Sequence, residues 1–195
     1  MTESTTGPSA AHADAFERFK RASALVDEVV ARIRPEQLGE PTPCTEWNVR
    51  ELLTHVVANE FAFAGWAEAG GGHPDTGAYV LPDDYVAAYR EGARRVTAAF
   101  EAPGMAERTY QTPIGEGPGV FLVELLFNDM LLHGWDLARA TGQSTDFPED
   151  LVASSRAALG QAPRVEGGPF AAAQPEPESG TAADRLAAFA GRVAS

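Results

Sequence analysis

GVFLVELLFNDMLLHGWDLARA, residues 119–140, is the stretch on which the fold turns. Pro118 stands at its start and Gly142 just past its end. That is helix punctuation, because proline suits a first turn and glycine a stop. On a helical period Leu122, Leu126, Asp129, His133 and Asp136 fall on one face. The leucines read as core. The rest of the stripe sets a carboxylate, an imidazole and a second carboxylate where core side chains belong. Burying even one neutral polar group without a partner costs on the order of 2–7 kcal/mol. The stripe therefore demands partners from elsewhere in the fold.

Working outward, the same periodicity recurs. From Ala10 to Ile33 the positions Phe16, Phe19, Leu25, Val26, Val29 and Ile33 make an amphipathic helix, which Arg34-Pro35 ends. GEPTPCTEWN is a loop. The helix that follows, NVRELLTHVVANEFAFAGWAEAGGG, opens on Asn48 and Glu51, spaced as a capping box, and stops at Gly70–Gly72. After a loop, residues 83–101 form a third helix. Residues 105–118 lack helical periodicity, with Thr109–Thr112 as a short extended piece. PEDLVASSRAALG and AADRLAAFAGRVA read as two shorter C-terminal helices. Four long amphipathic helices with few strand signals predict an all-α four-helix bundle with short C-terminal helices. Residues 1–9 read as a flexible N-terminus and 10–195 as one domain.

Composition narrows the function. The 195 residues suit a single sizeable core. With 15 basic and 28 acidic residues the net charge is -13, which repels nucleic acid and anionic membranes. The only cysteine, Cys44, rules out an intrachain disulfide and fits a reducing cytoplasm. The N-terminus lacks the pattern of a secretory signal, and no apolar stretch is long enough to cross a bilayer. The expectation is a cytoplasmic protein whose partner is a small-molecule substrate, with no nucleic acid and no membrane; a homodimer is left open.

The second helix repeats the polar intrusion. Leu52, His55, Val56 and Asn59 share a face, with His55 where a leucine is expected. Asp129 and His133 are an i,i+4 pair, roughly 5–6 Å apart at Cβ, so both can grip one ion. His55, Asp129 and His133 would make a two-histidine, one-carboxylate metal set, which leaves positions for water or substrate as a catalytic site does. Zinc leads, and nickel or iron suits the same donors. The competing reading has no metal: a satisfied boundary histidine and a solvated acid. His55 counts only if helices two and four touch.

Asp136 has two equal readings. It accepts the free ring N–H of His133, fixing the tautomer, or it bonds a backbone group, Arg50 or Arg139 to lock the bundle. Trp135 reads as packing. Cys44 precedes a helix N-terminus, which can activate a thiol, but packing in its turn is the default. His73 reads as solvated and His12 as near the frayed start. Asn59, Trp66, Tyr85 and Tyr110 are weighed as pocket lining against core. PIGEGPG, residues 113–119, is no phosphate loop and is expected to form a lip beside the metal.

PTPCTEWNVRELLTHVV, followed much later by HGWDLARATGQ, resembles the DinB/YfiT-like metal-binding superfamily. Within it the chain is similar to the actinobacterial branch related to mycothiol-dependent maleylpyruvate isomerases, over most of residues 10–160 and a tail like DRLAAFAGR. The resemblance implies a four-helix bundle around one divalent metal. One histidine comes from the second helix and an acid-x3-histidine pair from the fourth, here His55, Asp129 and His133. Asp129 is a shorter carboxylate than the Glu common at that place. The isomerases of this group look longer, with a C-terminal domain at the substrate pocket that residues 150–195 are too short to supply, so activity on maleylpyruvate itself is not implied. What the resemblance does imply is a metal-dependent enzyme using a low-molecular-weight thiol such as mycothiol, in S-transferase or isomerase chemistry. The alternative is a non-enzymatic metal-stabilised binding or stress-response module.

Overall fold

The computed structural model describes residues 10–70, 77–112, 115–161 and 172–194. The expected N-terminal arm, His73 and residues 113–114 of the expected lip lie outside the described residues. Helices α1 (Ala10–Ala31), α2 (Val49–Ala69), α3 (Tyr85–Phe100) and α4 (Gly119–Ala140) form the bundle. Strands β1 (Thr109–Thr112) and β2 (Gly115–Pro118) stand between α3 and α4, and α5 (Glu149–Gln161) and α6 (Ala182–Phe189) follow. The all-α expectation holds, with one small hairpin added to it.

Several limits of the long helices have local causes. Asn48 accepts the Glu51 amide at 3.0 Å while Glu51 accepts the Asn48 amide at 2.9 Å, the capping box the spacing predicted. Gly70, at φ 77°, ends α2 and donates to the Trp66 carbonyl at 3.1 Å. Asp84 caps α3 through the Ala87 amide. At the end of α4, Gly142 takes a left-handed φ of 67° and the Gln143 amide reaches back to the Ala138 carbonyl at 2.8 Å. That closing bond satisfies a carbonyl the helix would otherwise leave open.

Around the bundle the helices pack in the order α1, α3, α2, α4, so α2 and α4 are neighbours. Phe19, Val26, Leu52, Val56, Tyr89, Leu126 and Trp135 lie in the buried core. The hairpin pairs Thr109 with Pro118 and Thr112 with Gly115. It leads into α4 at Gly119, about 15 Å along the helix axis from Asp129 at 1.5 Å per residue. β2 was not expected, because Gly-Glu-Gly-Pro lacks the branched and aromatic residues that mark strands.

One glycine sets the spacing of α1 against α4. A Cβ on Gly134 would lie 2.7 Å from Cγ2 of Val26. In a helix without neighbours Gly→Ala stabilises by roughly 0.5–1 kcal/mol. Here overpacking opposes that gain, and Gly134→Ala is expected to destabilise by about 1–3 kcal/mol in chemical denaturation. A stabilised variant would mean that α1 and α4 separate without penalty.

Candidate metal centre

α2 and α4 each turn their polar intrusion toward the seam between them. His55 Nε2 lies 3.6 Å from Asp129 Oδ1, and His133 Nε2 lies 3.5 Å from the same oxygen. The two imidazoles meet edge to face with centroids 5.0 Å apart. One donor atom from each of the three residues falls within 4.8 Å of the others. The condition that helices two and four touch is therefore met. His133 is 10% exposed at its side chain, but His55 and Asp129 are 24% and 27% exposed, so the cluster opens to solvent on one side.

Two further side chains shape it. Asn59, one turn beyond His55, places its amide nitrogen 2.9 Å from His55 Nε2 and 3.0 Å from Asp129 Oδ2. It belongs to the site rather than to the core. Trp47 flanks both rings, with centroids 4.6 Å from His55 and 5.9 Å from His133. The loop before α2 fixes the backbone that carries that indole: Thr42 Oγ1 donates to the Trp47 carbonyl at 2.7 Å, and the Trp47 amide donates to the Cys44 carbonyl at 2.9 Å. Sequence reasoning passed over Trp47. A loop residue carries no periodicity, and its place just before the cap was the available signal. Of the other aromatics weighed as lining, Tyr110 and Tyr85 are buried with hydroxyls given to the Ala67 and Ile33 carbonyls, and Trp66 is buried in the core.

Asp136 is fully buried and combines both readings offered for it. Its Oδ2 lies 3.1 Å from His133 Nδ1, so His133 presents Nε2 to the shared space. Its basic partner is neither Arg50 nor Arg139. Arg192, after α6, donates through Nη2 to Oδ2 at 3.1 Å and through Nε to Oδ1 at 3.4 Å. Spacing could not find that pair: the expected last helix runs on through Arg192, whereas α6 ends at Phe189 and Gly191, at φ 95°, turns Arg192 off the helical path. Trp135 packs as expected and also donates Nε1–H to Asp184 at 2.8 Å.

Cys44 lies closer to the chemistry than expected, within 4.8 Å of donor atoms of His133 and Asp136. Burial and the Asp136 carboxylate nevertheless push its thiol up, not down. That disfavours a nucleophilic Cys44 and agrees with a packing role.

The electrostatics are those of an acid clasped between two imidazoles. Burial opposes charge on both partners. Even so, His133 and His55 hold the Asp129 carboxyl well below the usual carboxylate range. Asp129 and Asp136 in turn outweigh the burial of His133 and push it up to about 9. In chemical kind, two imidazole nitrogens and one carboxylate oxygen match the donors that zinc, nickel and iron accept. The residues present therefore fit such an ion.

A family model described as the mycothiol maleylpyruvate isomerase N-terminal domain matches residues 19–138. The chain belongs to this family. The match takes in α2, α4 as far as Ala138 and all four of His55, Asp129, His133 and Asp136, and it ends before α5 and α6. Two uncharacterized proteins from two strains of Mycobacterium tuberculosis are each 39% identical over 184 residues, covering 92% of this chain and 98% of theirs. A crystal structure of a mycothiol-dependent maleylpyruvate isomerase superposes with a TM-score of 0.62 at 15% identity, over 76% of this chain and 69% of that one. At that identity the likeness speaks for the fold. Among the described residues no helix is long and apolar enough to cross a membrane.

Proposed function

We propose that this protein is a divalent-metal enzyme that works with a low-molecular-weight thiol such as mycothiol on a small electrophilic substrate. The observation that carries the reading is the convergence of His55, Asp129 and His133 donor atoms at the α2–α4 seam. Family membership and the fold shared with a mycothiol-dependent isomerase support the thiol. Zinc is the expected ion, held by those three residues. When bound, such an ion lets a coordinating thiol sit as its thiolate at neutral pH.

The chain's own residues do the rest. Asp136 holds the Nδ1 proton of His133, leaving Nε2 as the donor. Asn59 steadies Asp129 from the side. Trp47 gives the cluster an apolar wall against which a substrate can be placed. The exposed side of His55 and Asp129 is the way in. In the isomerase form of the chemistry the thiol sulfur adds to a cis carbon–carbon double bond conjugated to a carbonyl. The electron pair moves onto the carbonyl oxygen, the single bond rotates, and the pair returns as the carbon–sulfur bond breaks. In the transferase form a leaving group departs with its electron pair as the carbon–sulfur bond forms. A cytoplasmic location goes with this reading, since a free thiol co-substrate needs a reducing compartment.

Elemental analysis of the purified protein, followed by calorimetric titration of mycothiol into metal-loaded and chelated samples, tests it. The expected result is about one zinc per chain and thiol binding that disappears on chelation. Metal retention without thiol binding would favour the non-enzymatic module. No metal after reconstitution would reject the centre altogether.

A further inference from the structure

α6 ends in a turn with a specific aim. The Gly191 amide donates to the Ala188 carbonyl at 3.0 Å and the Arg192 amide to the Ala187 carbonyl at 2.9 Å. Gly191 sits at φ 95°. These two bonds across a left-handed glycine reverse the chain at a helix end. The reversal carries the Arg192 side chain to α4, where it is 10% exposed and grips both oxygens of fully buried Asp136. The same Asp136 oxygen that meets Arg192 Nη2 also meets His133 Nδ1. A second clasp lies beside it. Asp184 of α6 accepts from Trp135 Nε1 and Thr145 Oγ1, both at 2.8 Å, while its other oxygen takes the Thr181 amide that caps α6. Two adjacent α4 residues are thus tied to the C-terminal segment, Trp135 to α6 itself and Asp136 to the turn that follows it.

We infer that Arg192 is a positioning residue for the metal centre, acting through Asp136 on His133. The inference rests on the metal reading above but concerns a residue beyond the span the family model matches. A carboxylate held at both oxygens by a planar guanidinium cannot rotate. Its Oδ2 lone pair then stays on the His133 Nδ1 axis, and the imidazole keeps Nε2 on the Asp129 side. An ammonium in place of the guanidinium would keep the charge and lose the fork. The C-terminal segment would thereby be part of the site without touching an ion or a substrate.

The test compares wild type with Arg192→Ala and Arg192→Lys by competitive zinc titration. It also follows the His133 Nδ1 ring proton by NMR in chelated protein. Loss of an outer partner weakens metal affinity 10–100-fold in comparable sites. Arg192→Ala is expected to bind zinc at least about tenfold more weakly and to lose the slowly exchanging ring proton. Arg192→Lys, which keeps Asp136 compensated and the protein folded, is expected to recover part of both. Variants that bind zinc as wild type does, with the ring proton intact, would overturn the inference and leave the metal centre standing. Wild type without zinc affinity would reject the centre itself, and the ring proton in the chelated samples would still decide whether Arg192 orients His133.

Discussion

His133→Ala protein is expected to purify without a stoichiometric ion where wild type carries about one per chain. The loss should exceed the 10–100-fold that removal of an outer partner costs, because a donor atom goes together with the group that orients Asp129. The pH dependence should also change, and its sign follows from the proton His133 carries. With no ion bound, His133 is pushed up to about 9 against an ordinary value near 6.5. A folded value above the unfolded one means that this group's contribution to stability is full below pH 6.5. It is lost as pH rises through about 9. Metal uptake runs the other way. An ion must displace that proton, so wild-type affinity should climb by roughly tenfold per pH unit over the same window and then level off. Competitive titration across that range, in wild type and His133→Ala, measures both effects. A variant that keeps one equivalent of metal, or a wild type whose affinity ignores pH, would remove His133 from the donor set.

The second large effect concerns a residue far from that chemistry in role. Glu60 lies one position past Asn59 on α2 and is fully buried against α3, where a Cβ on Gly92 would fall 2.5 Å from its Oε2. Neither carboxyl oxygen finds a hydrogen-bond partner among the described residues. The Tyr89 hydroxyl is engaged instead with the Ser23 carbonyl at 2.9 Å. Burial, with Asp27 adding repulsion, pushes the Glu60 carboxyl well above its ordinary value. For an acid raised in this way the folded chain binds the proton more tightly than the unfolded one. Stability therefore falls as pH rises from about 4.5 toward the folded value, by about 1.4 kcal/mol for each pH unit in the window. Glu60→Gln removes that slope at nearly constant volume. It is expected to be more stable than wild type by about 1–3 kcal/mol at pH 8 and to lose the advantage near pH 4. Urea denaturation at the two pH values reads the difference. An equal gain at both would mean that packing, not ionisation, sets the penalty.

The sequence was legible wherever a pattern was local. The limits of α2 followed from the cap at Asn48 and the stop at Gly70, the last helix ends at Phe189, short of the expected stretch, and His55, Asp129 and His133 stand out because each breaks a leucine stripe. The same logic reached Asp136 as an inward acid but could not name Arg192. That contact depends on a turn of three residues whose direction no periodicity encodes. Glu60 escaped for the opposite reason: in a helix apolar on several faces, one acid reads as the solvated side. β2 escaped because its pairing is made by backbone groups, to which Gly, Glu and Pro give no side-chain clue. Trp47 and Cys44 lie in the loop that the prolines at 41 and 43 predict. Their proximity to His133 is tertiary: the Thr42 bonds shape the loop only locally, and the packing of α2 on α4 sets that loop beside His133.

The order of helices around the bundle has a kinetic consequence. α2 and α4 are spatial neighbours, yet the Asn59–Asp129 bond joins residues 70 positions apart, with α3 and the hairpin strung between them. Closing so long a stretch is entropically expensive and belongs to the slower part of folding. An ion bridging His55 to Asp129 and His133 would act as a removable cross-link over that stretch. It would hold the two helices together in the denatured ensemble's stead and slow their separation. Chelation would then shorten the lifetime of the folded chain while leaving each helix, with its own caps and local bonds, as ready to re-form as before.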